Sequence, residues 1–511
     1  MRQRFLAPAV VAASLLLTIP ASAAEPAPGA PGVGDPYYPD YGNGGYDVSH
    51  YDLRLKYQPE DDRLEGTATL LATTTQELSR FNLDFALDVS DVRVNGRKAS
   101  FATSGAHELE ITPDRPLKKG QRITVVVRYS GTPSEVEVNG FTSWHRTPDG
   151  GVAANEPEAA WWWFPSNDHP SDKATYDVSV AVPDGTQAIS NGVLTSERAQ
   201  AGWTRFNWRS DQPQASYLAT LAVGKFDITK DETSDGLPVL NAYSKDLGEN
   251  DRGARASIER TAEVTEWLSS VFGPYPFNAI GGYVPNTDTG YALETQTRPF
   301  YSQRSFASGS NMSLVVHEMA HQWYGDSVSV HGWKDIWLNE GFATYASWLW
   351  SEEQGEGTAQ EISDWTYDSY PADDEFWTVR PADPGAENQF HDAVYDRGAM
   401  ALHALRAEIG DDDFFAILKG WQDERRGGDA RVDEFVAYAE QVSGKSLDAL
   451  FDTWLREPTR PEAPAGAESG AAKRVPAAKA ERPKSWEDLQ ATKHGREHEA
   501  HGDAHGSGHG H

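Results

Sequence analysis

His317-Glu318-Met319-Ala320-His321-Gln322-Trp323-Tyr324-Gly325, followed by Leu338-Asn339-Glu340-Gly341-Phe342-Ala343, decides how this chain is read. Two histidines four positions apart on a helix leave the same face about one turn from each other, so both imidazoles reach one ion. Glu318 between them points toward that ion without having to bind it. Glu340, nineteen positions after His321 on a second predicted helix, completes a two-His, one-Glu donor set with an open coordination position. That set suits Zn2+, one per chain, in hydrolytic rather than structural use. Leu314, Val315 and Val316 before the motif, and Ala320 within it, predict a helix buried except for its polar stripe. Gly341 and Ala343 predict a close approach of the two motif helices.

The residue types set the expected chemistry. Zinc lowers the pKa of water to about 7 and polarises a carbonyl, while Glu318 takes the water's proton and hands it to the departing amine. The expected reaction is metal-assisted amide hydrolysis, and Glu318 is its expected catalytic base. Spacing alone leaves open whether the bond lies inside a peptide or at its end.

Composition bounds the rest. At 511 residues the chain has room for two or three domains. Its 19 Phe, 20 Tyr and 17 Trp supply large cores, and a formal net charge of −32 argues against a nucleic-acid surface or an anionic membrane partner. With no cysteine there is no thiolate nucleophile and no Cys-ligated zinc. Arg2 and Arg4 precede an apolar run from Phe5 to Ile19, and Ala21-Ser22-Ala23 offers a processing site, so residues 1–24 read as a signal peptide cleaved after Ala23 or Ala24. The expectation is a secreted, extracellular protein with no membrane anchor, since no later stretch is long and apolar enough to span a bilayer.

Residues 25–44, rich in Pro, Gly and Ala, read as a flexible lead-in. Tyr51, Leu53, Leu55 and Tyr57 then alternate with Asp52, Arg54 and Lys56, a strand with one buried face. Thr67–Ala72, Ile123–Tyr129, Tyr176–Val182 and Trp203–Trp208 read the same way, with turn signals at Asn95-Gly96, Asn139-Gly140 and Asn191-Gly192. These predict an N-terminal β domain of antiparallel sheets over residues 45–235. From 236 to 458 the spacing turns helical: Ala254–Val271, Asn311–Trp323, Ile336–Ser351, Arg397–Ile409, Asp411–Trp421, Val432–Val442 and Leu447–Leu455, with a short strand at Ile280–Val284. The fold class is α+β, in more than one domain. Residues 459–511, rich in Pro, Ala, Lys and Glu and ending in His494, His498, His501, His505, His509 and His511, read as a disordered tail. His50, His107 and His331 have no donor at ligand spacing and read as structural or surface residues.

The motif stretches resemble the aminopeptidase N-like gluzincins, peptidase family M1. Gly290-Tyr291-Ala292-Leu293-Glu294-Thr295 is similar to that family's Gly-Ala-Met-Glu-Asn segment, with Tyr291 and Thr295 in place of the usual Gly and Asn. Glu156-Pro157, leading to Phe164-Pro165-Ser166-Asn167-Asp168-His169-Pro170 and Lys173-Ala174-Thr175, resembles the segment at the end of the family's β domain, with Trp161-Trp162-Trp163 filling the region where an Arg is usual. Tyr395-Asp396-Arg397-Gly398-Ala399 resembles the family's tyrosine motif.

The resemblance covers roughly residues 45–457. It implies a saddle-like β domain followed by a thermolysin-like catalytic domain, and a short form without the further helical domains of large relatives, hence a more open site. It also implies that Glu294 and Glu156 bind the substrate's free α-amine and that Gly290, Tyr291 and Ala292 contact its main chain. Tyr395 would stabilise the oxyanion as a second catalytic residue, and Asp326 stands where many relatives have Asn. Elementary electrostatics agrees, since an ammonium group needs ionised carboxylates at a fixed distance from the metal. The implied function is a zinc aminopeptidase acting on peptides with free N-termini. A zinc endopeptidase shares the core motif, and an inactive zinc-retaining binding module is the reading from another class. Oligomeric state is not readable.

Overall fold

A computed structural model describes residues 26–138, 140–463 and 482–496. The expected signal peptide and the histidine-rich end from residue 497 lie outside these described residues, as does Asn139 of one expected turn.

Period-two patterning produces a large sheet of eight strands. From edge to edge it runs Val193–Gln200, Trp203–Gln214, Ala174–Pro183, Tyr46–Gln58, Arg63–Thr74, Arg122–Gly131, Asp88–Val94 and Arg97–Lys98. Tyr51, Leu53, Leu55 and Tyr57 are buried as the alternation requires, and Arg54 and Lys56 face out. Asn95 and Gly96, at φ 52° and 76°, make the tight hairpin that joins the last two strands. The sheet is not wholly antiparallel, because Tyr46–Gln58 lies parallel to Ala174–Pro183. Two four-stranded sheets and the fully buried Trp161, Trp162 and Trp163 close the core of this β domain.

The change of architecture comes earlier than residue 235. Phe226–Glu232 pairs with Pro238–Ser244 across that boundary, and Pro238–Ser244 runs parallel to Ile280–Val284. Phe300–Tyr301 and Ala292–Leu293 complete this five-stranded sheet. The described helices are α1 (Asp251–Ile258), α2 (Thr261–Phe272), α3 (Met312–Ala320), α4 (Trp337–Gln354), α5 (Ala359–Ser369), α6 (Gly398–Ile409), α7 (Asp411–Arg425), α8 (Val432–Ser443), α9 (Asp448–Phe451) and α10 (Trp486–Arg496), of which α1, α2 and α3 pack on this sheet and carry the others. The single helix expected over Ala254–Val271 is two, broken where the Thr261 hydroxyl donates to the Ile258 carbonyl (2.6 Å). Sequence reading passed over α5, although Thr358 and Glu361 form a reciprocal capping pair at its start. None of the described helices is long and apolar enough to cross a membrane.

Two segments expected to be flexible are ordered. In the lead-in, Ala27–Pro28 pairs with the strand Leu78–Asp84. Tyr38 and Tyr41 stack at 4.5 Å, and Asp35 accepts the Trp333 backbone N–H at 2.8 Å. The Tyr37 hydroxyl donates to Asp383 and that of Tyr38 to Gln389. The lead-in thus straps the β domain to the helical one, because three tyrosines and a buried aspartate outweigh its Pro-Gly-Ala composition. In the tail, α10 packs back on the catalytic domain through Trp486 and Leu489, two apolar residues too few to register as a periodic face. Lys173 ties the domains together at a third point: its buried ammonium donates to the carbonyls of Asp326 (2.7 Å), Ser327 (2.9 Å) and Gly428 (3.2 Å).

Candidate active site

Helix α3 carries His317 and Glu318, and His321 directly follows its last residue. Asn311 caps it, its side-chain oxygen accepting the Leu314 N–H at 3.0 Å. The helix ends at Ala320, three residues short of the predicted stop, and that early end has a consequence. The chain turns back at Gly325 (φ 133°), so the Tyr324 carbonyl accepts a hydrogen bond from His321 Nδ1 at 3.0 Å. This fixes the ring and leaves Nε2 for a metal. A side chain at Gly325 would put its Cβ 3.3 Å from that same Nδ1.

Helix α4 brings Glu340 opposite. Glu340 Oε2 lies 3.2 Å from His317 Nε2 and 3.4 Å from His321 Nε2. His317, Glu318, His321 and Glu340 are 3, 4, 1 and 3% exposed, so all four are almost wholly shielded from bulk solvent. The fit to zinc rests on the donors. Two imidazole nitrogens and one carboxylate oxygen, all within 4.8 Å of one another, suit a borderline-soft ion better than a hard one. The field agrees. Burial alone would lower the His321 pKa, but Glu340, Glu294 and Glu318 outweigh it and raise it to about 10. Burial likewise opposes ionisation of Glu340, yet the two imidazoles hold it well below the usual carboxylate range. The pocket is built around a positive charge.

Gly341 does not act as expected. It meets α6 rather than α3: the Gly341 Cα lies 3.2 Å from where a Cβ on Gly398 would stand, and a Cβ at either position would strike Trp337 at 2.4 Å. This crossing brings in Tyr395, which lies in a π-helical turn at Ala393–Arg397 leading into α6. The turn is held by Arg397, whose guanidinium donates to five backbone carbonyls, those of Trp377, Val379, Thr453, Trp454 and Glu457. The Tyr395 ring lies 6.1 Å from the His317 ring, inclined by 23°.

The segment Gly290–Thr295 forms another wall. Glu294, Glu318 and His321 offer donor atoms within 4.8 Å of one another, so Glu294 sits at the His321 end of α3. Burial pushes the Glu294 carboxyl up, with His321 acting against it. Its side chain accepts from the Tyr217 hydroxyl (3.0 Å), and its carbonyl from Gln322 Nε2 (2.9 Å). Gln322 also accepts the Thr297 N–H at 2.7 Å, holding that β-branched residue at φ 70°. Burial, then the charges of Glu294 and Glu156, push the Tyr217 phenol well above its usual range and keep it protonated. Tyr291 reaches across to the β domain, donating to the Ala154 carbonyl at 2.8 Å. Thr295 closes the turn by donating to the Arg298 carbonyl at 2.7 Å.

All ten residues singled out from sequence, His317, Glu318, His321, Glu340, Tyr395, Glu294, Glu156, Gly290, Tyr291 and Ala292, line one cavity of about 790 Å³. Asp326 lies apart from its lining. Its carboxylate is fully buried with no hydrogen-bond partner among the described residues, and burial followed by the Glu294 charge raises its pKa far above the usual range. Sequence reading missed Tyr217 and Gln322, which hold Glu294, and the residues of α10 that line the cavity's far end. Gln322 lay inside the quoted motif and was legible as a neighbour of the metal ligands. Tyr217 gave no local signal.

The fold and the donor trio together define a zinc metallopeptidase. The Peptidase M1 N-terminal domain matches residues 48–218, and the Peptidase family M1 domain matches residues 296–454. An M1 zinc metallopeptidase from Deinococcus radiodurans is 29% identical with a TM-score of 0.78, over 86% of this chain and 100% of that one. A mutant of that enzyme bound to a Tyr-Ser-Ala substrate is 30% identical, with a TM-score of 0.77 over 85% of this chain and 99% of that one. Aminopeptidase M1 of Arabidopsis thaliana is 25% identical over 80% of this chain and 50% of its own length. Glutamyl aminopeptidase of Homo sapiens is 25% identical over 80% and 46%. The chain thus spans about half the length of the curated relatives it matches. It belongs to peptidase family M1, and zinc is its cofactor.

Proposed function

We propose that this protein is an exported aminopeptidase that releases the N-terminal residue of peptides. The observation that carries this reading is the pair of carboxylates, Glu294 and Glu156, lining the same cavity as the metal-ligand trio. An endopeptidase has no use for anions where the chain upstream of the scissile bond must pass, whereas a free ammonium group needs them.

His317, His321 and Glu340 would hold the zinc, which supplies Lewis-acid polarisation of the scissile carbonyl and acidification of water. Glu294 and Glu156 grip the substrate ammonium, and Tyr217 keeps Glu294 oriented through its hydrogen bond. Main-chain groups of Gly290, Tyr291 and Ala292 align the peptide along the cavity wall. Glu318 accepts the proton of the attacking water at its carboxylate and delivers it to the departing amine. The Tyr395 phenol donates to the oxygen of the scissile carbonyl as negative charge develops there. The short apolar segment behind Arg2 and Arg4 supports export. Recovery of a mature N-terminus at Ala24 or Glu25 from the culture medium tests this part, and retention of Met1 contradicts it.

Turnover of a panel of aminoacyl chromogenic substrates, with and without a chelator, tests the activity. Chelator-sensitive release of the chromophore is the expected result. No turnover by zinc-loaded protein across the panel would favour a binding module.

A further inference from the structure

The cavity has an end wall that the family motifs do not supply. Lys484 and Ser485 donate their backbone N–H groups to the Glu356 carbonyl, anchoring the start of α10 just beyond α4. The hydroxyls of Ser485 and Ser351 lie 2.7 Å apart, and Trp486 packs against Trp365 at 5.7 Å between ring centroids. Nearly two turns on, the Thr492 hydroxyl donates at 3.3 Å to the same Asn311 oxygen that caps α3. The inward face of the helix, including Asp488, Ala491 and Thr492, lines the cavity that holds the ligand trio.

The direction of the substrate follows from the two ends of α3. Glu294 clusters with His321, at the C-terminal end of that helix. Asn311, where α10 docks, precedes His317 by six residues, about 9 Å along the axis at 1.5 Å per residue. A peptide whose ammonium is held at Glu294 and whose first carbonyl meets the trio therefore runs on toward Asn311. At about 3.3 Å per extended residue, two to three residues beyond the scissile bond reach α10.

We propose that α10 is the end wall of the leaving-peptide side of the cleft and makes this chain selective for short peptides. This rests on the aminopeptidase reading. It reverses the expectation of a more open site. Dipeptides to tetrapeptides fit between the amine clamp and the wall, and longer peptides are admitted only when the helix lifts away. Trp486 and Leu489, which hold the helix down without lining the cavity, are the residues that set this preference.

The test compares peptides of increasing length with a common N-terminal residue, using the full zinc-loaded chain. Between tetrapeptide and octapeptide, kcat/KM is expected to fall by about tenfold or more, chiefly through KM. In Trp486→Asp/Leu489→Asp that fall disappears while dipeptide kcat is retained. The chain has no cysteine, so Ser351→Cys/Ser485→Cys introduces the only thiols, and their oxidation pins the helix. Pinning is expected to abolish octapeptide turnover, spare the dipeptide, and be reversed by a phosphine reductant. A flat length profile in the unmodified chain, or octapeptide turnover unaffected by pinning, overturns the wall while dipeptide release persists. Failure to release the N-terminal residue even from dipeptides would overturn the aminopeptidase reading itself, and the wall with it.

Discussion

In the proposed mechanism Glu318 and Tyr395 carry different parts of the barrier, and their variants should separate. Glu318→Gln keeps the shape of the pocket and removes the proton acceptor. Its kcat is expected to fall by about 10²–10⁴ with bound zinc unchanged by elemental analysis. Retained activity, or loss of the zinc, would contradict its role as base. Tyr395→Phe removes one hydrogen bond to developing charge, so kcat should fall by about 10²–10³ with KM little altered. A rise in KM at constant kcat would instead make the phenol a ground-state contact. The histidines and Glu340 were legible in the sequence because four-residue spacing on a helix fixes their mutual geometry. Glu294 and Glu156 were legible only through the family resemblance, since nothing in their local sequence points an acid at a metal. Tyr217 stayed invisible because it meets Glu294 across 77 residues of chain.

Elements place these side chains through a few close contacts. The crossing of α4 and α6 has no room for a Cβ at Gly398, which would stand 2.4 Å from Trp337 Cδ1. Gly398→Ala is therefore expected to cost about 1–3 kcal/mol by overpacking and to depress kcat by shifting the Tyr395 turn. Denaturant unfolding and steady-state kinetics check the two effects, and an unchanged kcat would show that the turn is held by Arg397 alone. In the β domain, His107 lies between Asp84 (3.4 Å) and Asp40 (3.5 Å), stacked on Trp161 and close to Glu108. Burial would lower its pKa, but hydrogen bonding and charge from Asp40 and Asp84 raise it to about 10. A folded-state pKa above the ordinary value means stabilisation that is complete below about pH 6.5 and lost as pH climbs through about 10. Glu108, raised to about 8 by burial, acts in the same direction at lower pH. The melting-temperature advantage of the unmodified chain over His107→Gln should thus be largest near pH 6 and vanish above about pH 10. An advantage that grows with pH would contradict a charged His107.

At the scale of the molecule, alternation and helical spacing foretold a β domain followed by a helical one. They failed where order comes from long-range contacts. The lead-in is rich in Pro and Gly, yet Asp35 and the tyrosines around it bond to residues some 300 to 350 positions away. The tail helix has too few apolar residues to show a face, yet two of them suffice against a waiting surface. The domain boundary was misplaced because the hairpin at Phe226–Ser244 looks like more β domain until its neighbour Ile280–Val284 is seen. Both overlooked segments bear on function: the strap and Lys173 fix the domain carrying Glu156 against the domain carrying the metal ligands, and α10 bounds the cleft.

The proposed reading of a free N-terminus by this zinc site turns on the charge of the substrate's α-amine. It is tested most directly by giving the zinc-loaded chain one short peptide in two forms, with its α-amine free and with that amine acetylated, and resolving the products by mass spectrometry. Release of the first residue from the free peptide is expected, with a loss of at least about a hundredfold in kcat/KM on acetylation, because a neutral amide forfeits the pairing with Glu294 and Glu156. Equal cleavage of both forms, or cuts at internal bonds, would contradict it.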